Sequence, residues 1–472
     1  MSFNSLEYLL FLPIVFILYW FVFKKLKPQN LLIVVASYIF YGWWDWRFLI
    51  LIAFTSLCSY LTGLMISKKS EVGKGKFYAA LNIIINLLIL GVFKYYNFFV
   101  ESFSEALGAI GFHTNYSSLR IILPVGISFY TFQALSYTID VYRKKIEATH
   151  DVIAFFAYIS FFPQLVAGPI ERATNLLPQM QNKRIFNYEM AVDGIEQIVW
   201  GLFKKMVVAD YCAMVVNDVW ADYSSQNTIT LITGAIFFAF QIYGDFSGYS
   251  DIAIGSAKLF GIRLMRNFKL PYFSLSIPDF WKRWHISLNT WFVDYLYIPL
   301  GGSRCAKWKW FRNTMIIFLV SGLWHGANWT FVCWGAYHAL LFLPYMIVGK
   351  TKTDSSLDKI TFKKAASMLM TFVLVVIGWI IFRSESITDA VSYITSIFTN
   401  TGVHSSVYVA LLSYRWIVLL LLIEWFTRNY EQPLQVIHKI KYPVLRYAMY
   451  ATAALFVLFF ASSSQGFIYF QF

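Results

Sequence analysis

Long apolar runs recur along almost the whole chain and restrict its fold more than any other sequence feature. A helix needs about 20 mostly apolar residues to cross a hydrocarbon layer about 30 Å thick. Such runs lie near residues 7–23, 30–44, 47–66, 78–99, 121–140, 228–249, 313–348 (interrupted), 366–382, 408–425 and 444–461. They predict about ten or eleven crossings, and the α-helix is the spanning form that these lengths permit.

The composition supports a polytopic membrane protein. Hydrophobic residues make up 58% of the 472 residues and charged residues 14%, with a mean hydropathy of +0.57. Soluble domains are about half apolar and a quarter charged. We predict one membrane-embedded domain over 1–472, with N-terminal helices in 1–145, a core in 146–349 and C-terminal helices in 350–472. Because neither a cationic stretch before the first run nor a cleavage site after it is evident, we interpret that run as a retained helix.

The net charge of +14 indicates orientation and lipid contact rather than nucleic-acid binding, because no soluble basic domain is evident. Basic clusters follow the first, third and fifth runs: Lys24, Lys25 and Lys27; Lys68, Lys69, Lys74 and Lys76; Arg143, Lys144 and Lys145. By the positive-inside rule these loops are cytoplasmic. The four cysteines are scattered without a CxxC pair, so the sequence indicates neither a disulfide framework nor a metal site.

Two further segments do not have the pattern of ordinary spans. Residues 161–171, FFPQLVAGPIE, carry helix breakers in an apolar run that is too short to cross, which predicts a re-entrant segment. Residues 258–312 carry ten Lys and Arg against two Asp, which predicts an amphipathic region on the cytoplasmic face. Its cations suit anionic lipid head groups, and Lys282 and Arg283 also suit the phosphates of an acyl donor such as a coenzyme A thioester.

Polar residues interrupt the apolar run at 241–254, QIYGDFSGYSDIAI. On a helix Asp245 lies one turn before Tyr249, and Asp251 lies one turn after Ser247, so these side chains can form local polar pairs. Gly244 and Gly248 have the small-xxx-small spacing that lets a neighbouring helix approach closely. Two interpretations stay open, which are plain helix packing and the polar wall of a tunnel.

Two histidines in tryptophan-rich segments are candidates for chemistry. His325 lies in SGLWHGANW and follows Trp324, while His285 lies in WKRWHISL and follows Trp284. A neutral imidazole is tolerated at membrane depth and can still take a proton, which suits a general base. If one helix continued past His325, Asn328 would share its face and could orient the imidazole, and His338 would be about 20 Å away along the axis.

The remaining histidines, at positions 113, 150, 404 and 438, lie in or near loops and are interpreted as solvated or interfacial. None of them is a candidate for catalysis. We also find no serine in a recognisable nucleophile motif.

Several motifs in order along the chain resemble one family. They are FNSLEY at 3–8, PVGISFYTFQALSYTIDVYR at 124–143, FFPQLVAGPIER at 161–172, FSGYSDIAIG at 246–255, IPDFWKRWHISLNTWFVDYLYIPLGG at 277–302, SGLWHGANW at 321–329 and FIYFQF at 467–472. The chain is similar to the membrane-bound O-acyltransferases, in the bacterial branch of alginate O-acetyltransferases and teichoic-acid D-alanyl transfer proteins. The resemblance implies a bundle of transmembrane, re-entrant and amphipathic helices around a central tunnel.

The resemblance also implies an activity and a site. It implies transfer of an acyl group, by default acetyl, from a cytoplasmic thioester such as acetyl-CoA to a polysaccharide outside the bacterial inner membrane. The family's buried histidine falls on His325 and the second histidine of this branch on His285, and a separate extracytoplasmic acyltransferase is the implied partner. Neutral His325 would activate a hydroxyl, and His285 would orient the donor or stabilise an oxyanion.

Other functions stay open on the sequence. D-alanyl transfer to teichoic acid and peptidoglycan O-acetylation differ only in the acyl group or the acceptor. A transporter or flippase would share the many spans and the broken helices. A scaffolding subunit of polysaccharide export is a third class. Neither a transporter nor a scaffolding subunit requires the two histidines.

Overall fold

The described part of the chain is helical, and no strand occurs within it. The structure is a computed structural model of the protein. It describes residues 1–68, 72–112, 119, 122–166, 168–348, 357, 359–402 and 411–468. His113, His404, most of the predicted loop at 350–364 and the last four residues of the FIYFQF motif therefore lie outside the described residues.

The chain packs into two compact units, and each unit is built from two separate stretches of the sequence. The first unit comprises Met1–Ile195 and Ala253–Met265, and the second comprises Glu196–Ile252 and Arg266–Phe472. Both candidate histidines belong to the second unit. The predicted division into 1–145, 146–349 and 350–472 stays a prediction.

The first unit is built from the N-terminal helices. Ser5 caps the first of them by accepting a hydrogen bond from the Tyr8 amide at 3.3 Å, and Asp151 caps another in the same way. The helices are α1 (Leu6–Ile17), α2 (Leu26–Gly42), α3 (Leu49–Ser67), α4 (Val72–Leu90), α5 (Tyr96–Ala109), α6 (Ile127–Tyr142), α7 (Val152–Ser160), α8 (Phe162–Leu165), α9 (Ala173–Gln181) and α10 (Tyr188–Leu202), of which α10 continues into the second unit.

The segment predicted to be re-entrant is short and irregular. One turn of helix, α8, follows α7 directly, and α9 begins only at Ala173. Its described side chains are buried, including Phe162 and the carboxyl group of Glu171, which accepts hydrogen bonds from the Met265 amide and from Asn175. Irregular backbone of this kind is tolerated at membrane depth when protein covers it.

The second unit holds the remaining helices and short helical turns. Π-helical turns at Phe203–Ala209 and Val293–Tyr297 join helices within it. Its helices are α11 (Asp210–Ala221), α12 (Thr228–Leu259, which ends in the first unit), α13 (Ile277–Arg283), α14 (Ile286–Phe292), α15 (Lys307–His325), α16 (Trp329–Leu341), α17 (Leu343–Val348), α18 (Phe362–Arg383), α19 (Ile387–Thr399), α20 (Arg415–Phe426) and α21 (Pro443–Phe460).

Helices α15 and α16 form a tight hairpin, so the continuous helix considered from the sequence is absent. Helix α15 ends at His325, Gly326 is extended, and Asn328 caps α16. A Cβ atom on Gly322 would lie 2.2 Å from the Phe331 carbonyl oxygen, and one on Gly335 would lie 2.2 Å from the Phe318 carbonyl oxygen. Both glycines are therefore required by the close approach of the two backbones.

Six described helical segments are long and apolar enough to cross a membrane. They lie at Trp46–Ser67, Lys74–Ala109, Thr228–Leu259, Trp329–Val348, Phe362–Arg383 and Pro443–Phe460, and a shorter apolar helix lies at Leu6–Val22. Helix α12, with 32 residues, is about 48 Å long, which exceeds the apolar thickness of a bilayer. The predicted all-helical polytopic fold is confirmed.

The basic region at 258–312, predicted to be an amphipathic region on the cytoplasmic face, is partly buried. Residues 277–292 pack inside the protein, with Trp284 and Leu288 each 1% exposed. The cations that follow, at positions 304–312, are mostly exposed and begin α15. The apolar residues between the charges pack into the core, which a charge count along the sequence does not reveal.

Candidate active site

The fold brings the two candidate histidines together from positions 40 residues apart. His285 precedes α14, and His325 is the last residue of α15. Their ring centroids are 6.5 Å apart and both side chains are buried. The two imidazole rings therefore lie in one buried aromatic site.

Aromatic rings surround His325. Trp324, Trp334 and Phe382 place their ring centroids 5.0, 5.1 and 5.3 Å from the imidazole centroid, each in an edge-to-face arrangement. Such a shell excludes water and lowers the local dielectric constant, which disfavours the charged imidazolium. The C-terminal end of α15 opposes this effect, because its carbonyl dipoles favour a cation.

Asn267 fixes the orientation of the second histidine. The Asn267 Oδ1 atom accepts from the Ser287 amide at 3.3 Å and from the Ser287 hydroxyl at 2.9 Å, so this atom is identified as the oxygen. His285 Nδ1 lies 3.2 Å from the same oxygen and must therefore carry the proton. The Nε2 atom then carries the lone pair and can accept a hydrogen bond.

The neutral form of His285 is also favoured by burial. Burial lowers the pKa of its imidazole to about 3, because the cation loses its hydration. His285 has a φ of 45°, in the left-handed region, and the amide of the next residue donates to the Asn267 carbonyl at 2.9 Å. A neutral His285 with its proton on Nδ1 cannot donate from Nε2, so it cannot serve as the oxyanion donor considered from the sequence.

Trp284, Asn328 and His338, the other residues considered near the histidines, have structural contacts of their own. Trp284 is buried, with its ring 4.9 Å from that of Trp379. Asn328 accepts from the Thr330 amide at 2.9 Å and donates to the Glu385 carbonyl at 2.9 Å, so its amide group caps α16 and holds residue 385. The Trp334 ring lies between two histidines, because its centroid is 5.0 Å from that of His338 and 5.1 Å from that of His325. His338 is therefore much nearer to His325 than the roughly 20 Å expected for one continuous helix.

The predicted polar segment of α12 finds its partners in another helix. Asp245 pairs with Lys205 at 2.8 Å, and Asp251 pairs with Lys204. Lys205 also pairs with Asp210 at 2.8 Å, and the side chains of this triad are at most 3% exposed. Both lysines lie in the π-helical turn at Phe203–Ala209. The segment therefore contributes to a buried ionic network, rather than to pairs within one helix.

The close helix approach predicted from Gly244 and Gly248 is present. A Cβ atom on Gly248 would lie 2.8 Å from the Gly201 carbonyl oxygen, and one on Gly244 would lie 2.9 Å from that of Lys204. The two glycines let the lysines of the π-helical turn reach the carboxyl groups of α12.

The C-terminal segment returns to this ionic network. The Ile468 amide donates to Asp245 at 2.6 Å, and Lys205 donates to the Gln465 carbonyl at 3.0 Å. The Phe467 ring lies 4.1 Å from that of Tyr249, and 6.2 Å from that of Phe246, which in turn contacts His285 at 4.7 Å. Tyr249 thus packs against the C-terminal segment, and Phe246 connects this segment to His285.

A cavity of about 530 Å³ lies beside the first turns of α15. We call it the basic-end cavity. It is lined mainly by apolar and aromatic groups with a few hydroxyl and amide groups, and by Lys282. Arg283 instead forms a buried ion pair with Asp279 at 3.0 Å. Of the two cations predicted to contact donor phosphates, Lys282 is the one that lines this cavity.

An aromatic wall separates the basic-end cavity from His325. Trp281 lines the cavity, and its ring lies 5.6 Å from that of Trp334, which contacts His325. The Trp281 Nε1–H group donates to His338 Nδ1 at 3.4 Å, which holds the indole in place. Two indole rings, those of Trp281 and Trp334, thus lie between the cavity and His325.

The sequence analysis missed Asn267, Lys204 and Lys205. The two lysines could have been noticed, because they interrupt an apolar stretch, WGLFKKMVVA at 200–209, where cations are costly. Asn267 gave no signal, since it lies between cations in a segment with no periodic pattern.

Comparisons with known proteins indicate a family for this chain. The family model for the membrane-bound O-acyltransferase family matches residues 35–388, a range that includes both histidines. A probable alginate O-acetylase of Pseudomonas aeruginosa is 40% identical over 392 residues, covering 83% of this chain and 73% of that protein.

More distant relatives are also acyltransferases. A peptidoglycan O-acetyltransferase of Helicobacter pylori is 32% identical over 422 residues, covering 83% of this chain and 79% of that protein. A teichoic acid D-alanyltransferase of Bacillus subtilis is 27% identical over 283 residues, covering 56% of this chain and 70% of that protein.

Proposed function

The chain belongs to the membrane-bound O-acyltransferase family, and from that premise we propose that it moves an acetyl group from a cytoplasmic thioester to an extracytoplasmic polysaccharide. The observation that carries this proposal is the buried histidine pair, which an aromatic wall separates from a cavity of about 530 Å³. The relatives that share most of the chain's length act on alginate or peptidoglycan by name, which supports acetyl as the acyl group and a glycan as the acceptor.

The reaction needs a base and a site that excludes water. His325 takes the proton from the acceptor hydroxyl, the hydroxyl oxygen attacks the thioester carbonyl carbon, and the carbon–sulfur bond breaks. The imidazolium then returns the proton to the leaving thiolate, so the products are an ester and a free thiol. The aromatic shell around His325 keeps free water low and thereby limits hydrolysis of the donor.

His285 assists as a hydrogen-bond acceptor. Its Nε2 atom carries the lone pair, and its ring centroid lies 6.5 Å from that of His325. When His325 becomes an imidazolium, a bridging hydroxyl or water can donate to Nε2 and stabilise the cation. This role replaces the oxyanion stabilisation considered from the sequence.

The distribution of charge supports an approach of the donor from the cytoplasm. The basic-end cavity lies where α15 begins, among exposed cations at Arg304, Lys307, Lys309 and Arg312, and α18 begins with Lys363 and Lys364. By the positive-inside rule this end of the second unit is cytoplasmic. Lys282 is then suitably placed to meet a phosphate of coenzyme A or of a carrier's phosphopantetheine arm.

We place the protein in the bacterial cytoplasmic membrane, which is the inner membrane in bacteria that have two membranes. A cytoplasmic thioester can reach one face of this membrane. The relatives compared here are all bacterial. A separate extracytoplasmic acyltransferase is the proposed partner for delivery to the glycan. Anionic lipids are the proposed neighbours of the exposed cations.

Transfer across a sealed membrane would test this function. Purified protein in liposomes, supplied with radiolabelled acetyl-CoA on the side of the α15 cations, should acetylate a glycan enclosed on the opposite side. We expect label in base-released acetate from the glycan and a matching amount of free thiol. Thiol release without acetylated glycan, with or without the partner, or unchanged glycan acetylation when the thioester is omitted, would contradict the proposal.

The role of Asn267 gives a separate prediction about pH. Replacing Asn267 by aspartate keeps an oxygen acceptor for His285 Nδ1–H but adds a negative charge, which raises the pKa of the imidazole. The Nε2 lone pair is then lost at a higher pH, so the acidic limb of the rate profile should move to higher pH. Asn267→Ala should lower kcat by about 10- to 100-fold with a smaller change in KM for the donor, because the ring loses its orientation.

Ser250 offers a matched control for this prediction. The Ser250 hydroxyl accepts a hydrogen bond from Asn267 Nδ2 at 3.2 Å, whereas His285 contacts the other atom of the same amide group, Oδ1. Ser250→Ala should leave the pH profile unchanged. Identical pH profiles in wild type and Asn267→Asp would show that Asn267 has only a structural role.

A further inference from the structure

The acyl-transfer reaction needs a hydrogen-bond donor that neither histidine supplies. Attack on a thioester carbonyl places a negative charge on the carbonyl oxygen, and donors fixed beside that oxygen usually contribute strongly to the rate. In the proposed reaction His325 exchanges its proton with the acceptor hydroxyl, and the proton of His285 is held by Asn267. A donor from another group near His325 would complete the site.

Trp334 carries a buried donor beside the proposed base. Its side chain is fully buried, and no described residue accepts a hydrogen bond from its indole Nε1–H group. Buried donors without an acceptor are rare in proteins, because each loses its hydration without compensation. Such a group next to a site of chemistry favours a role in which a bound substrate supplies the acceptor.

The other side chains that contact Trp334 do not supply a strong acceptor. The His338 ring centroid lies 5.0 Å from that of Trp334, but His338 Nδ1 already accepts from the Trp281 Nε1–H group at 3.4 Å. The proton of this imidazole is then on Nε2, which makes Nε2 a donor rather than an acceptor. Trp379 and Phe382 also contact Trp334, and the faces of aromatic rings accept N–H groups only weakly.

The position of Trp334 fits the carbonyl side of the reaction. Its ring centroid lies 5.1 Å from that of His325 and 5.6 Å from that of Trp281, which lines the basic-end cavity. Trp334 thus contacts both the proposed base and the wall of the proposed donor cavity. The close backbone approach at Gly322 and Gly335 holds α16 against α15. A donor that is fixed before the reaction needs no reorganisation when the charge develops.

We infer that the Trp334 Nε1–H group donates a hydrogen bond to the thioester carbonyl oxygen and stabilises the oxyanion that forms there. This inference rests on the proposed function, because it assigns one more catalytic residue to the same reaction. His325 takes the hydroxyl proton, the hydroxyl oxygen bonds to the carbonyl carbon, and the carbonyl π electrons move to the oxygen. When the carbon–sulfur bond breaks, the double bond forms again and the imidazolium returns the proton to the thiolate. The indole keeps its own proton throughout.

Replacing Trp334 by phenylalanine tests this role by kinetics. In the liposome assay Trp334→Phe should lower kcat by about 10²- to 10³-fold, which is the usual effect of losing one oxyanion donor. KM for acetyl-CoA should change little, because the hydrogen bond strengthens mainly in the transition state. Benzothienylalanine at position 334 keeps the shape of the indole and has sulfur in place of the N–H group. It should show the same loss without a change in packing.

Trp379→Phe is the matched control. The Trp379 ring is also buried and stacks on Trp334 at 5.9 Å, but its described ring contacts do not include His325. This variant removes the same atoms from the same aromatic cluster, so its kcat should stay within about threefold of wild type. An equal loss in Trp379→Phe would identify packing as the cause and overturn the inference. A loss in Trp324→Phe without one in Trp334→Phe would overturn it as well.

Infrared spectroscopy tests the contact without turnover. The probe is acetyl-CoA with an isotope label at the carbonyl carbon, bound to the whole protein in the absence of an acceptor. Its carbonyl stretching frequency should be lower in wild type and Trp379→Phe than in Trp334→Phe, because a hydrogen bond weakens the carbonyl double bond. Equal frequencies, or full kcat in Trp334→Phe, would overturn the inference alone. If wild type shows the lower frequency but transfers no acetyl group, the proposed function fails while the carbonyl contact stands.

Discussion

Replacing His325 by alanine is expected to lower the rate of acyl transfer by about 10²- to 10⁴-fold, which is the usual contribution of a general base. The imidazole lies in an aromatic shell with one other histidine within 6.5 Å, and that ring already donates its proton to Asn267. The initial rate of acetyl transfer at saturating acetyl-CoA would measure the effect. An alanine variant that inserts normally and keeps the full rate would refute the assignment.

His438 provides a control for this substitution in the same unit. It is exposed, and its Nε2 atom lies 2.6 Å from the carboxylate of Glu196. His438→Gln removes an imidazole without touching the histidine pair, so the transfer rate should stay within about twofold, as for a side chain that contacts no reacting group. His325→Gln keeps more of the side-chain volume than alanine, and an equal loss of rate in both variants would identify proton transfer, rather than packing, as the cause.

Replacing Lys205 by methionine is expected to destabilise the protein by about 3–5 kcal/mol, because it leaves buried carboxylates without their cation. Lys205 lies 2.8 Å from both Asp210 and Asp245, and its ammonium group also donates to the Gln465 carbonyl of the C-terminal segment. The midpoint of thermal unfolding in detergent, followed by size-exclusion chromatography, would measure the loss. Faster proteolysis of the residues after Phe460 should accompany it.

Two further variants distinguish charge from packing in this prediction. Lys309 is exposed, so Lys309→Met should change stability by less than about 0.5 kcal/mol. Adding Asp210→Asn and Asp245→Asn to Lys205→Met removes the uncompensated charges and should restore part of the stability. A triple variant as unstable as the single one would mean that the lysine stem, rather than its charge, holds the segment.

Some features of the site could be predicted from the sequence because they are local. His325 and His285 were identifiable since an ionisable group between tryptophans in an apolar run has few purely structural explanations. The close approach at Gly244 and Gly248 followed from their spacing alone. The partners of Asp245 and Asp251 were not predictable, because a charge pattern along one helix does not reveal which other helix lies opposite.

The role of Asn328 shows how a local rule fails when the helix ends. Its place three residues after His325 implied a shared face, but the chain turns at Gly326 and the amide becomes the cap of α16. Gly322 and Gly335 allow the hairpin to close, and their contacts are with residues on the opposite helix.

The sequence by itself determined the helical membrane-spanning class and indicated the two histidines as candidates, because hydrophobic run length and the cost of burying ionisable groups depend on the residues alone. The tertiary structure decided which residues surround them. Asn267 fixes the His285 proton, Lys205 joins α12 to the C-terminal segment, and the basic-end cavity lies beside the first turns of α15. These relations join residues distant in sequence, and such contacts are set by how the helices pack rather than by any local pattern.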